Sequence, residues 1–222
     1  MLNRLNKHID EIGLVPESQC GFRKATSSFG RLTKRLWSNR HVRLDTKVSV
    51  YKACVTTLLL YGCESWTLKK QHITQLEKFH LSCLRKIARI RWFHKVTNYE
   101  VLRRCKISSI ESMVDGAHLR WTGHITRMAD DRIPKLLLYG RLASGCTRRG
   151  NHKSYVNSIK STLRACQIDG TALEQLTAQR VTWRAIYKTG IAKAECERTQ
   201  RLIVKREHRK AREDLARQPT HN

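Results

Sequence analysis

Two adjacent carboxylates, Asp130 and Asp131, follow Met128 and Ala129. An acidic pair of this kind can hold divalent metals during phosphoryl transfer, where the metals stabilise the attacking oxygen and the leaving phosphate. That chemistry needs the pair and a further carboxylate brought together at one site, as neighbouring strands of a sheet can do. Here Arg132 and Pro134 follow at once, and proline cannot donate to a sheet ladder. The spacing therefore places the pair in a loop or at a helix end. Other reactive residue types are no better arranged. His118 and His124 stand six apart, Cys54 and Cys63 nine apart, and no Cys-x-x-Cys pair occurs, so zinc-finger and zinc-knuckle spacings are absent. His124, between Gly123 and Ile125 on an expected packed helix, reads as a structural histidine rather than a general base. No Ser/His/Asp or Cys/His set brings an orienting group and an oxyanion site with it. Gly145 and Gly150 flank Arg148 and Arg149 without the Lys and Ser or Thr of a phosphate loop. The sequence thus offers no catalytic residue, no metal site and no cofactor.

Phosphate contact is the chemistry the residues favour. Helices with one apolar face and an Arg-rich opposite face place guanidinium forks where phosphates can be bridged bidentately. The candidate contacts are Arg31, Lys34, Arg35 and Arg40, then Lys78, Arg85, Lys86, Arg89 and Arg91, then Arg148, Arg149 and Lys153. Arg120 and Arg127 join them, beside Trp121, Gly123, His124 and Met128. The competing reading is an ordinary solvated helix face, and the charge balance weighs against it: 44 Lys and Arg against 18 Asp and Glu give a formal charge of +26. Self-repulsion of that size disfavours a compact state unless counter-charges are near, so a polyanion, RNA or DNA held mainly through phosphates, is the expected partner. Trp121 could stack on a base, but its spacing with Ala117, Ile125 and Met128 assigns it to a buried stripe. Trp66, Trp92 and Trp183 are likewise assigned to the core.

The elements that must carry these side chains are helical. Leu2, Leu5, Ile9 and Ile12 repeat at helical spacing until Gly13, ahead of Pro16. Phe29, Leu32, Leu36 and Trp37 form a second stripe. Asp45 as N-cap opens a third helix along Val48, Tyr51, Val55, Leu58, Leu59 and Gly62; its β-branched residues keep a strand as the alternative. Ile73, Leu76, His80, Cys83, Leu84 and Ile87 mark a fourth, and Thr97 with Glu100 has capping-box spacing for a short fifth. A long helix follows along Ile110, Val114, Ala117, Trp121, Ile125 and Met128, with Gly116 and Gly123 as weak points. Gly140 to Lys153 lacks any apolar period and reads as a linker. Helices resume at Tyr155, Ile159, Leu163 and Cys166, and Ile191 to Arg217 reads as a solvated charged helix.

The expected fold class is all-α. Forty per cent hydrophobic content over 222 residues can supply a core. The longest apolar run, Ala53 to Tyr61, is far short of the roughly 20 residues that span a bilayer, and Met1 to Asp10 has no apolar core of a secretory signal, so no membrane partner and an intracellular, nuclear setting are expected. The eight cysteines are read as free thiols, with Cys54, Cys63 and Cys83 on or near apolar faces.

Ser18, Gln19, Cys20, Gly21, Phe22 and Arg23 resemble part of the fingers of LINE-type reverse transcriptases, and several later phrases resemble the region beyond the palm of the RTE-like group. These are Ser28 to Trp37; Tyr51, Lys52 and Ala53; Leu60, Tyr61, Gly62, Cys63, Glu64 and Trp66; Leu76, Glu77, His80 and Cys83 to Arg85; Thr97, Asn98, Glu100 and Leu102. Most specific is Leu119, Arg120, Trp121, Gly123, His124, Arg127 and Met128, with Asp131, Arg132 and Pro134 behind it. The resemblance implies a fingers-like remnant over residues 1–24 and a thumb-like helical domain over 25–140; composition and apolar period add a basic linker over 141–153, a small helical region over 154–190 and a charged C-terminal helix over 191–222. It also implies RNA-templated DNA synthesis in the parent enzyme, whose metal-binding palm this chain lacks. The expectation is a non-catalytic remnant with general nucleic-acid affinity, the alternative being a repurposed helical DNA- or RNA-binding adaptor. Helices that once packed on a palm would expose apolar faces, with Val55, Leu58 and Leu59 as the candidates, and self-association through those faces is a further expectation.

Overall fold

The computed structural model describes residues 20–139 and 155–216. The helix expected over Leu2 to Ile12 and the linker candidates Arg148, Arg149 and Lys153 lie outside the described residues. Among the described residues every regular element is helical and none is a strand, so the chain is all-α. Two compact units divide it at Val114 and Asp115, inside a helix.

In the first unit, α1 (Cys20–Arg31) buries Ala25, Thr26 and Phe29 along one face. It runs unbroken across the junction expected at residues 24 and 25. A wide π turn follows over Thr33–Trp37, in which the Trp37 and Ser38 amides bond five residues back, to Leu32 and Thr33. Trp37 folds back on α1: its ring stacks on Phe29 at 5.2 Å, and its Nε1 donates to the Phe29 carbonyl at 2.8 Å.

The third sequence stripe is helical throughout, though not uniformly α. It comprises α2 (Leu44–Tyr51), a π turn over Lys52–Thr56 and the short α3 (Thr57–Leu59). Arg43 rather than Asp45 is its N-cap, and Gly62 stops it in the left-handed region at φ 70°. Val55 and Leu59 are fully covered and Leu58 is half-buried, which corrects the expectation of an orphaned surface. α1 packs alongside them, and a Cβ on Gly21 would stand only 3.0 Å from the Leu58 carbonyl. Large apolar side chains are instead exposed on α7 (Ile133–Tyr139), at Ile133, Leu136 and Leu137.

α4 (Lys70–Ile87) inserts His80, Cys83, Leu84 and Ile87 into the core as its stripe predicts. The Tyr51 hydroxyl hydrogen-bonds with His80 Nδ1 at 2.9 Å. Burial drives the His80 pKa down to about 4, and a backbone interaction with Ser108 offsets only part of that. α5 (Asn98–Cys105) starts where the capping box predicts: Thr97 Oγ1 accepts from the Glu100 amide at 3.2 Å. α6 (Ile110–Thr126) is opened by Glu77, whose Oε2 accepts from the Ile110 amide at 2.7 Å.

The second unit closes around Leu119, Ile159, Leu163, Cys166, Ile168, Trp183, Tyr187 and Ala194. These come from α6, α8 (Tyr155–Ala165), the turn that follows it and α10 (Arg180–Ala216), with α9 (Leu173–Ala178) packed beside α10. Trp183 is buried, as expected, and its Nε1 donates to the Leu119 carbonyl at 3.0 Å. Asp115 ties three helices together, accepting from Thr162 Oγ1 at 3.1 Å and pairing with Arg198 at 2.9 Å. The charged C-terminal helix begins eleven residues before its expected start, because Trp183, Tyr187 and Ala194 at spacings of four and seven give it a core-facing stripe.

Candidate nucleic-acid interface

Two of the predicted basic groups, far apart in the chain, meet in the first unit. Lys86, near the end of α4, sets its ammonium 5.6 Å from the centre of the Phe29 ring, and Arg89 donates to the Ser38 carbonyl at 2.6 Å. Lys47 is buried below them. Its Nζ donates to the Trp37 carbonyl at 3.2 Å and the Asn39 carbonyl at 2.5 Å; burial first, and then the charge of Arg89, holds its pKa below the usual lysine value. The segment carrying Arg31, Lys34, Arg35 and Arg40 is thereby fastened to the segment carrying Lys86, Arg89 and Arg91. All seven of those side chains are exposed.

Few counter-charges oppose them. Between Cys20 and Val114 there are twenty Lys and Arg against five Asp and Glu. Of those five, Glu100 is engaged by Arg103 and Arg104 at 2.7 Å each, which holds its carboxyl down at about 2, and Asp45 faces Lys106 at 3.7 Å. The field over the exposed cations is therefore left largely uncompensated.

The turn after α4 departs from its expected role. Trp92, assigned to the core by its hydrophobicity, is 89% exposed, and Phe93 is 52% exposed. They lie on a single 3-10 turn, Trp92–His94, with rings edge to face at 6.0 Å. The physical reason is local. Trp92 has Arg89 and Lys95 three residues away on either side, so no apolar stripe accompanies it into the core. That pattern of aromatics bracketed by cations was the signal in the sequence.

The other predicted contacts divide by what they touch. Lys78 and Arg120 are exposed. Arg85 is half-buried and donates to the Val96 carbonyl at 3.0 Å and to Asn98 Oδ1 at 2.8 Å, pinning the chain after the aromatic turn. Arg127 is half-buried and donates to the Thr177 carbonyl at 2.8 Å; burial, then the charge of Arg180, lowers its pKa. Trp121 is half-buried, at 5.2 Å from the His124 ring.

The carboxylate pair sits in the turn between α6 and α7, where Asp130 bonds Lys135 at 2.6 Å and Asp131 is exposed. Among the described residues, no three His, Cys, Asp or Glu side chains gather as metal ligands, and no helix is long and apolar enough to cross a membrane. Cys54, expected near an apolar face, is exposed, whereas Cys63 and Cys83 are buried: the face of the π turn that Cys54 shares with Lys52 and Ala53 points outward.

The arrangement defines a class, an all-α chain with a concentrated cationic surface in its first unit. Comparison with family models, with curated proteins and with solved structures found no match.

Proposed function

We propose that this chain is a non-catalytic, helical nucleic-acid-binding protein descended from the post-palm region of a LINE-type reverse transcriptase. The observation that carries the binding reading is the fastening of the Arg31–Arg40 segment to the Lys86–Arg91 segment through Lys86 on Phe29 and Arg89 on Ser38. It gathers seven exposed cations with few acidic neighbours, and such a surface neutralises phosphates and releases their counterions. The reverse-transcriptase ancestry rests on the sequence phrases given above. A repurposed adaptor would bind through the same surface.

Fluorescence anisotropy on labelled RNA and DNA over a salt series tests the binding. Log affinity falls linearly with log salt if phosphates are the ligand, and a flat response rejects the proposal. Primer extension with magnesium tests the non-catalytic part. Extension by the purified chain alone would refute it.

A further inference from the structure

We infer that the turn Trp92–His94 is a stacking platform for unpaired bases, so that the surface prefers single-stranded over duplex nucleic acid; this rests on the binding function proposed above. Exposure of an indole to the extent of 89% forgoes the burial that dominates the energetics of large aromatic side chains. Here it is presented, with Phe93 beside it, on a turn that is held rigidly from below. The Arg91 amide donates to His94 Nδ1 at 3.1 Å, and the His94 and Lys95 amides donate to the Arg91 and Trp92 carbonyls at 3.1 and 3.2 Å. Arg85 fixes the exit through Val96 and Asn98, and the buried Ile90 fixes the entry, its amide bonded to the Arg85 carbonyl at 2.8 Å. Arg89 and Lys95, at φ 55° and 50°, hold the left-handed conformations that reverse the chain at each end. Such a platform loses little conformational freedom on binding.

Its ligand class follows from what surrounds the rings. Arg91 and Lys95 flank them, and Arg89, three residues from Trp92, is the residue that reaches Ser38. A cationic track from the Arg31–Arg40 segment therefore ends at the exposed Trp92 ring, with Phe93, whose ring meets that of His94 at 4.5 Å, beside it. A track for phosphates with aromatics for bases is how single strands are held without sequence preference. In a duplex the base faces are already stacked on each other and cannot use the turn. A bilayer surface would use aromatics and cations too, but has no need of a track leading away from them.

The test uses the full chain, a labelled oligouridine of about twelve nucleotides and a DNA duplex of equal length. Trp92→Ala is expected to weaken oligouridine binding about tenfold, within the range measured for loss of one stacked base. It should leave duplex affinity within about twofold and the salt slope unchanged, since no phosphate contact is lost. Trp92→Tyr should restore most of the loss. Arg85→Ala, which frees the turn without touching the rings, should weaken oligouridine binding selectively as well. Equal losses on both ligands, or unchanged oligouridine binding, would overturn the platform while leaving the phosphate surface standing. Salt-insensitive binding of the unaltered chain to both ligands would instead overturn the nucleic-acid function itself. If Trp92→Ala abolished sedimentation with phosphatidylserine vesicles but spared oligouridine binding, the turn would belong to a lipid surface and the inference would fall.

Discussion

The indole of Trp183 lies so close to the backbone of α6 that Gly123 has no room for a side chain: a Cβ there would stand 2.1 Å from Nε1. With the Nε1 donation to the Leu119 carbonyl, this docks α10 onto α6 within the second unit.

Gly123→Ala is therefore expected to destabilise the chain by about 1–3 kcal/mol through overpacking. In a helix without such a neighbour the same change would stabilise by up to about 1 kcal/mol, so the sign of the change in urea unfolding decides the matter. In a Trp183→Ala background the penalty should largely vanish, which a double-mutant cycle would register as coupling.

His80 makes stability depend on pH in a defined window. Folded, it is neutral, with its pKa at about 4, and shares a hydrogen bond with Tyr51; unfolded, it titrates near 6.5. Between those values the unfolded chain binds more protons, so stability falls as pH drops from about 6.5 towards 4, by roughly 2–3 kcal/mol in total. Above about pH 7 this contribution is constant. Urea midpoints across the window should show the decline, and His80→Gln, which keeps a hydrogen-bonding partner for Tyr51, should flatten it.

The exposed and engaged arginines separate by experiment. Replacing Lys34, Arg35 and Arg40 together by Ala should weaken binding to RNA and DNA alike and make the salt slope shallower by roughly 2–3. Arg127→Ala should leave that slope unchanged, and instead cost about 1–3 kcal/mol of stability by stripping the carbonyl of the buried Thr177 of its donor. Anisotropy and urea titration of the same preparations would distinguish the two.

Among the described cysteines, Cys54 and Cys196 are exposed and Cys63, Cys83, Cys105 and Cys166 are buried. Burial pushes the Cys83 thiol up to about 12 and Cys166 up to about 11, so neither forms thiolate at neutral pH. Brief maleimide treatment followed by mass spectrometry should mark Cys54 and Cys196 and spare the other four until denaturant is added.

The helical stripes were legible in the sequence because burial repeats at the period of the helix: His80, Cys83, Leu84 and Ile87 all lie where spacing puts them. The π turns were not, since spacings of three and four tolerate one wider turn and the extra residue leaves no mark in composition. Gly123 read as a weak point because its partner, Trp183, lies far along the chain and only packing joins them. Trp92 departs from the core position its apolar character suggests, because Arg89 and Lys95 stand on either side of it. Within the candidate interface, the residue types announced phosphate contact, but not which cations would be spent on carbonyls. Arg85 and Arg127 differ from Lys34 and Arg35 only in what the fold brings near them.

Ala194 is the last fully buried residue of α10, and Arg198, paired with Asp115, is its last anchor to another helix among the described side chains. Beyond it the helix runs to Ala216 with exposed ion pairs such as Arg209 with Glu213, each contributing only about 0.3–0.5 kcal/mol. Past Arg198 no described side chain of the helix is fully buried, so this portion draws mainly on intrinsic propensity and neighbouring turns. Warming should drain ellipticity from it gradually, with amide protons there exchanging well before either core opens, so the folded baseline of a thermal melt should slope rather than lie flat.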